Sequence, residues 1–295
     1  MASLNQWVAG ARPRTLPAAI APVILGTAAA HLLGRGDLAL AILALLVALS
    51  LQVGVNYAND YSDGIRGTDE ARVGPVRLVG QRLAAPANVK AAAMLSFGAA
   101  AMAGLALVGL SEAWIMLPLG ALSVLAAWRY TGGDNPYGYR GLGEVYVFVF
   151  FGLMATLGTL YTQADAVSWF GVIGAIGVGA LASAILVANN LRDIPTDIEH
   201  GKRTLAVRLG DTRTRTLYVA LLTASVLAVL GMAWFEPWAL LGLLVAPLGW
   251  KAVQTVRAGT TGRELIPVLA ATGLYEVAYA VLIALGVVIG VAIAT

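Results

Sequence analysis

Long apolar runs separated by short polar breaks dominate the chain, and neither the period of two of a half-buried strand nor the narrow stripe of a surface helix organises them. Runs approaching the ~20 residues that cross a hydrocarbon core lie near 15–33, 38–60, 88–110, 113–130, 143–163, 168–191, 214–233, 236–256 and 266–293. Backbone groups facing lipid must be satisfied within their own segment, so runs this long and apolar are expected to be helices rather than barrel strands. The expected fold class is therefore all-α integral membrane, with nine transmembrane helices forming a single polytopic domain over residues 1–295.

Charge placement orients these runs. Lys and Arg are retained on the cytoplasmic side, and 18 of the 19 fall at the N-terminus or in alternate connections, leaving Arg35 on the other side. The N-terminus is thus expected in the cytoplasm, the C-terminus outside, and the chain in the plasma membrane. The first ten residues lack the pattern of a cleaved leader, so insertion is expected to rely on the first spanning helix. Retention of basic residues accounts for a pI near 9.3, and nucleic-acid binding is not expected.

Composition narrows the chemistry. The chain is 59% hydrophobic and 12% charged, against about 45–50% and about 25% in soluble domains. Cysteine is absent and His31 and His200 are the only imidazoles, which excludes thiolate sites, a cysteine nucleophile and a histidine metal cage. Outer connections such as 34–37 and 235–237 are short, whereas the inner loops near 61–87 and 192–213 are long, and long loops are where function tends to sit.

Both long loops open on acids at the end of an apolar run: Asn59-Asp60-Tyr61-Ser62-Asp63 and Asn190-Leu191-Arg192-Asp193-Ile194-Pro195-Thr196-Asp197. Their four-helix offset suggests two related halves with a ninth helix appended. Asn59 and Asp63 are four apart, as are Asn189, Asp193 and Asp197, so a helical terminus would point each set one way. Pro195 is expected to break or kink the second set. Two such faces across a cavity would gather at least four carboxylates, which repel unless cations intervene. Oxygen donors without His or Cys suit Mg²⁺ completed by phosphate oxygens. The metal candidates are Asn59, Asp60, Asp63, Asp69, Asn189, Asp193 and Asp197; Arg66, Arg72, Arg77, Lys202 and Arg203 are candidates for a diphosphate. The alternative is that these acids cap helix ends and pair with retained basic residues. Tyr57, Tyr61, Tyr130, Tyr137, Tyr139 and Tyr146 crowd the same level, with Phe148, Phe150 and Phe151 deeper in the fifth run, as cation–π faces for a carbocation or as an interfacial belt or ordinary helix packing.

Taken in order, Arg12-Pro13-Arg14-Thr15-Leu16-Pro17, Asn59-Asp60-x-x-Asp63, Gly67-Thr68-Asp69, Arg72-Val73-Gly74-Pro75, Tyr139-Arg140-Gly141-Leu142-Gly143-Glu144 and Asn189-Asn190-x-Arg192-Asp193-x-x-x-Asp197-x-x-x-Gly201-Lys202-Arg203-Thr204-Leu205-Ala206 resemble the UbiA superfamily of intramembrane prenyltransferases. They look most like its members that prenylate 1,4-dihydroxy-2-naphthoate. The resemblance implies a nine-helix bundle around a central cavity, with a lateral opening to lipid and two aspartate-rich motifs that bind Mg²⁺ and a polyprenyl diphosphate. It maps Asn59 and Asp63 onto the first motif and Asp193 and Asp197 onto the second. It also implies Lys202, Arg140 and Tyr139 as diphosphate contacts, with Asp63, Asp193, Lys202 and Arg140 forming the catalytic set. Many members place a third acid where this chain has Gly67, and Asp69 is the substitute. The implied reaction ionises the diphosphate, alkylates the ring and expels CO₂, with Arg12, Arg14 or Arg140 for the acceptor carboxylate. Glu276 either faces the acceptor or is a neutral acid within the bundle. Rival expectations are a hydroxybenzoate, homogentisate or haem acceptor, or a cation-coupled transporter.

Overall fold

The computed structural model describes residues 2–67 and 76–294, all helix and turn with no strand among them. The chain begins with α1 (Leu4–Gly10), a 3-10 turn (Pro13–Thr15) and α2 (Pro17–Leu32). Then come α3 (Leu38–Ile65), α4 (Pro86–Ser111) and α5 (Met116–Arg129). The remainder is α6 (Gly143–Ala164), α7 (Trp169–Glu199), α8 (Leu205–Met232), α9 (Pro237–Arg257) and α10 (Gly262–Ala294).

Seven of these, α3, α4 and α6 to α10, are long and apolar enough to cross a membrane, and the N-terminal pair bent by 50° before α2 makes an eighth. The run expected at 113–130 folds as a helix of 14 residues, about 21 Å at 1.5 Å per residue. It is short because Glu112 takes a left-handed φ of 56° after α4 and the chain turns through 113–115 before α5 begins. Trp114, Trp169 and Trp234 stand exposed at the helix ends opposite the acidic motifs, as amphipathic rings do at a membrane boundary.

The hub is α7. Of its apolar window 78% is buried, against 22–39% for the other six spans. Its small residues explain this, because helices without a hydrophobic drive in lipid associate where backbones approach closely. Gly179 marks a close backbone approach: a Cβ on Gly152 of α6 would sit 2.4 Å from its Cα. The α6 backbone relaxes to a π-helix over Phe148–Met154 at that contact. The main core joins α2, α7, α8, α9 and α10 through Leu25, Leu181, Tyr218, Met232, Val256, Tyr279 and Ile283.

Two differences from the expected elements place the site. First, α3 runs on to Ile65 and α7 to Glu199, beyond the apolar runs that ended near 60 and 191. Second, Pro195 lies inside α7 without ending it. Its missing N–H deprives only the Leu191 carbonyl of its usual donor, and Asp197 remains helical. Both motifs therefore occupy helical termini. One turn before the first motif, the N-terminal segment is clamped to α3: the Asn56 amide donates to the Ala11 carbonyl at 2.8 Å and Thr15 Oγ1 at 2.9 Å, and the Tyr57 hydroxyl to the Trp7 carbonyl at 2.9 Å.

Candidate active site

A cavity of about 1010 Å³ opens between these helices. One end is polar, lined by Arg12, Asn59, Asp63, Arg77, Tyr139, Asn189, Arg192, Asp197 and Lys202. The rest is apolar, lined by α3, α4, α5 and α6. A register of four, three and four residues puts Gln52, Asn56, Asn59 and Asp63 on one face of α3, all lining the cavity.

Asp63 is buried and its carboxylate meets two partners from distant sequence. Lys202 Nζ lies 3.2 Å from Oδ2, and the Tyr139 hydroxyl donates to Oδ1. The same lysine stands over the Tyr139 ring, 4.6 Å from its centroid. Asn59 Oδ1 accepts from the Thr131 hydroxyl at 2.7 Å. On the facing wall Asp197 accepts from the Thr204 hydroxyl at 3.3 Å, and the Asp197 carbonyl accepts the Lys202 amide at 2.8 Å.

The expected gathering of carboxylates does not form: among the described residues no three His, Cys, Asp or Glu side chains meet as a metal cage. The acids are drawn apart by their own partners. Asp60 turns away from the cavity, where its oxygens accept the amides of Leu78 and Val79 at 2.7 and 3.0 Å. It thereby fastens the 76–80 segment onto α3 where Gly64 leaves room; a Cβ there would stand 2.4 Å from Val79. Asp193 is paired with Arg192 and does not line the cavity. Asp63 and Asp197 remain on the wall with the neutral oxygens of Asn59, Asn189 and Asn190. Such a hard-oxygen set fits Mg²⁺ bound by few protein ligands and completed by phosphate.

Several other candidates lie elsewhere. Arg66 is exposed and its guanidinium donates to the carbonyls of Thr131 and Gly133. Arg140 and Arg203 are exposed and outside the lining, the Arg203 amide bonding the Tyr139 carbonyl at 3.0 Å. Arg140 ends a 3-10 turn at Gly141, whose φ of 72° directs the chain into α6. Glu276 is fully buried in α10 and does not line the cavity. Of the acceptor candidates, Arg12 and Arg14 do line it, Arg12 half-buried at a left-handed φ of 54°. Asp69 and Arg72 lie outside the described residues.

Rings descend from the polar end. Tyr130, Tyr137, Tyr146 and Phe150 follow one another at centroid separations of 5.5, 3.8 and 5.9 Å. Burial, then the neighbouring Tyr130 and Tyr146, pushes the Tyr137 phenol far above its ordinary range, so it stays neutral and its hydroxyl donates to the Ala126 carbonyl at 2.9 Å. Two features escaped the sequence reading. The Gln52 and Asn56 extension was legible in the four-three-four register; the Glu144 carboxylate bonded to the Asn190 amide at 2.9 Å was not, because 46 residues separate the partners.

The model of the UbiA prenyltransferase family matches residues 19–267. The chain belongs to this family. It is 57% identical to a 1,4-dihydroxy-2-naphthoate octaprenyltransferase of Mycobacterium tuberculosis, over 96% of this chain and 97% of that protein. An Escherichia coli protein of the same description is 40% identical over 89% and 86%. Among solved structures, a UbiA homolog from Aeropyrum pernix K1 shares the fold with a TM-score of 0.69 at 16% identity, covering 92% of this chain and 97% of that one. An Archaeoglobus fulgidus UbiA homolog bound to DMAPP and Mg²⁺ gives 0.61 at 14% identity, over 94% and 99%.

Proposed function

We propose that this prenyltransferase transfers a polyprenyl group from a polyprenyl diphosphate to 1,4-dihydroxy-2-naphthoate, releasing CO₂ and diphosphate. One observation carries the reading: a single cavity joins the termini of both acidic motifs at its polar end and continues as an apolar, ring-lined chamber. The identity to naphthoate prenyltransferases along nearly the whole chain supports the acceptor.

In this reading the diphosphate sits between Lys202 and Arg77, cations buried at the cavity wall. Asp63, Asp197, Asn59 and Asn189 offer oxygens to Mg²⁺, which when bound neutralises charge developing on the leaving group. The carbon–oxygen bond breaks with its electron pair on the diphosphate, where Lys202 stabilises the charge. Tyr130, Tyr137 and Tyr146 present ring faces to the allylic cation, each worth roughly 0.5–2 kcal/mol. The acceptor ring carbon attacks that cation, and the bond to its carboxylate then breaks to return electrons to the ring. Arg12, on the cavity-lining segment clamped to α3, suits the carboxylate before it leaves.

The topology we favour has nine crossings with α5 as a short one, the N-terminus and the active-site end cytoplasmic, and the plasma membrane as the location. The segregation of 18 of 19 basic residues supports it.

The test is transfer by purified protein from a radiolabelled polyprenyl diphosphate to 1,4-dihydroxy-2-naphthoate, with Mg²⁺ or EDTA, following prenylated product and CO₂. Mg²⁺-dependent product with stoichiometric CO₂ is expected. Product only with an acceptor lacking the carboxylate would overturn the acceptor, and none with any acceptor would overturn the reaction.

A further inference from the structure

Gln52, Asn56, Asn59 and Asp63 share the cavity face of α3, and the first of them carries an acceptor without a donor. Asn59 Oδ1 accepts from Thr131, and the Asp63 oxygens meet Lys202 and Tyr139. Gln52 lines the cavity and is 6% exposed, and its Oε1 is buried with no hydrogen bond among the described residues. Burying an acceptor unpaired is costly. Beside a cavity, such an atom marks where a donor arrives with the ligand.

The amide cannot turn over to relieve itself. Gln52 Nε2 donates to Thr15 Oγ1 at 2.7 Å, Asn56 Nδ2 donates to the same oxygen at 2.9 Å, and the Thr15 hydroxyl donates to the Arg12 carbonyl at 2.9 Å. A hydroxyl has one proton and two lone pairs, so Thr15 is fully committed. Turning Gln52 over would set its oxygen against one with no proton to give. Asn56 is held the same way, because its amide also donates to the Ala11 carbonyl. The segment that carries Arg12 thereby fixes which atom of Gln52 waits for a partner.

Position and chemistry agree on that partner. Gln52 precedes Asp63 by eleven residues on one helix, about 16 Å at 1.5 Å per residue. That span has room for a diphosphate, the allylic carbon and one aromatic ring in series. In 1,4-dihydroxy-2-naphthoate the 1-hydroxyl lies beside the carboxylate and bonds to it internally, which leaves the 4-hydroxyl as the free donor. Carbon 4 is meta to the carbon attacked, so a hydrogen bond there orients the ring without driving the attack.

We infer that Gln52 is a specificity-determining residue whose Oε1 accepts the 4-hydroxyl of the naphthoate and selects its hydroquinone form. The inference rests on the naphthoate reading above and adds a second point of recognition to the carboxylate held at Arg12. An oxidised naphthoate presents a carbonyl oxygen at the same place, which brings no proton and leaves Oε1 unpaired.

The test is equilibrium dialysis of the full-length protein in detergent, free of oxygen, with Mg²⁺ and inorganic diphosphate present. Three ligands are compared: 1,4-dihydroxy-2-naphthoate, 1-hydroxy-2-naphthoate, which lacks the 4-hydroxyl, and 1-hydroxy-4-methoxy-2-naphthoate, which keeps that oxygen without its proton. The wild type is expected to bind the first about tenfold more tightly than either of the others, the scale of one hydrogen bond to a buried acceptor. Gln52→Met is expected to bind all three within about twofold of one another. A merely structural role, through Thr15 and the N-terminal segment, would weaken all three alike and leave the tenfold preference in place. In transfer assays Gln52→Met should raise KM for the dihydroxy compound about tenfold with little change in kcat. Persistence of the preference in Gln52→Met would overturn the inference. So would a wild type that binds the methoxy compound as tightly as the dihydroxy compound, a result that needs no variant to fold. Failure of the wild type to bind any of the three defeats the proposed acceptor, while binding whose preference ignores Gln52 defeats this inference alone.

Discussion

The two motif helices carry similar residues and use them differently. On α3, Asp63 is neutralised by Lys202 and Tyr139, which are 139 and 76 residues away, and its neighbour Asp60 fastens the 76–80 segment. On α7, Asp193 is paired with Arg192 beside it, and Asp197 accepts from the Thr204 hydroxyl. Among the described residues, the first wall draws its partners from distant sequence and the second from its own helix and the turn that follows it. A carboxylate whose cation comes from another element depends on the packing of that element, whereas one paired within its own helix keeps its partner wherever the helix moves.

The contrast can be broken at four points. The largest effect is expected from Asp63→Asn, which removes the first wall's only cavity-facing carboxylate among the described residues. Transfer should fall on the order of 10²–10³-fold, the scale of losing one electrostatic stabiliser of a developing charge, in the radiolabel assay at saturating substrates. Next comes Lys202→Met, which takes the Lys202 cation away from buried Asp63. Removing one partner of a buried pair costs roughly 3–5 kcal/mol, so the unfolding midpoint in EDTA should drop. Added Mg²⁺ should recover part of the drop if the metal replaces the lost cation. No recovery would argue that Asp63 does not meet the metal.

Asp60→Asn should act on stability first. Two buried amides lose a charged acceptor, which costs roughly 1–3 kcal/mol, and limited proteolysis near residues 76–84 should speed up before transfer at saturating substrate declines. Equal loss of transfer and stability would instead bring Asp60 into the chemistry. The smallest effect belongs to Tyr139→Phe, which keeps the ring under Lys202 and removes one hydroxyl from Asp63. A loss of about 1 kcal/mol, close to fivefold in transfer, is expected, and an effect as large as that of Asp63→Asn would make the phenol a participant.

Much of this was legible in the chain. The apolar runs, their number and their order survive as helical elements, although α5 is short and α3 and α7 extend past their apolar ends. The extensions were hidden because hydropathy marks where lipid ends, not where hydrogen bonding stops. Asn59, Asp63, Asp197, Lys202, Arg77 and Arg12 do line one cavity. Proline was overweighted at Pro195, since a break requires the helix to lack other support, and here tertiary packing of α7 supplies it.

Residue type and spacing alone determined that the molecule is helical and apolar, that its acids sit at helix ends four apart, and that its chemistry runs without thiol or imidazole clusters. These depend on local hydrogen bonding and on transfer from water, which act residue by residue. Tertiary structure decided which acid faces the cavity and which is a structural anchor. Asp60 and Asp63 are chemically identical and three apart; one meets the backbone amides of Leu78 and Val79, the other Lys202 and Tyr139. Partners that arrive from a separate element set the role of a buried charge, and no local pattern encodes which of them will arrive.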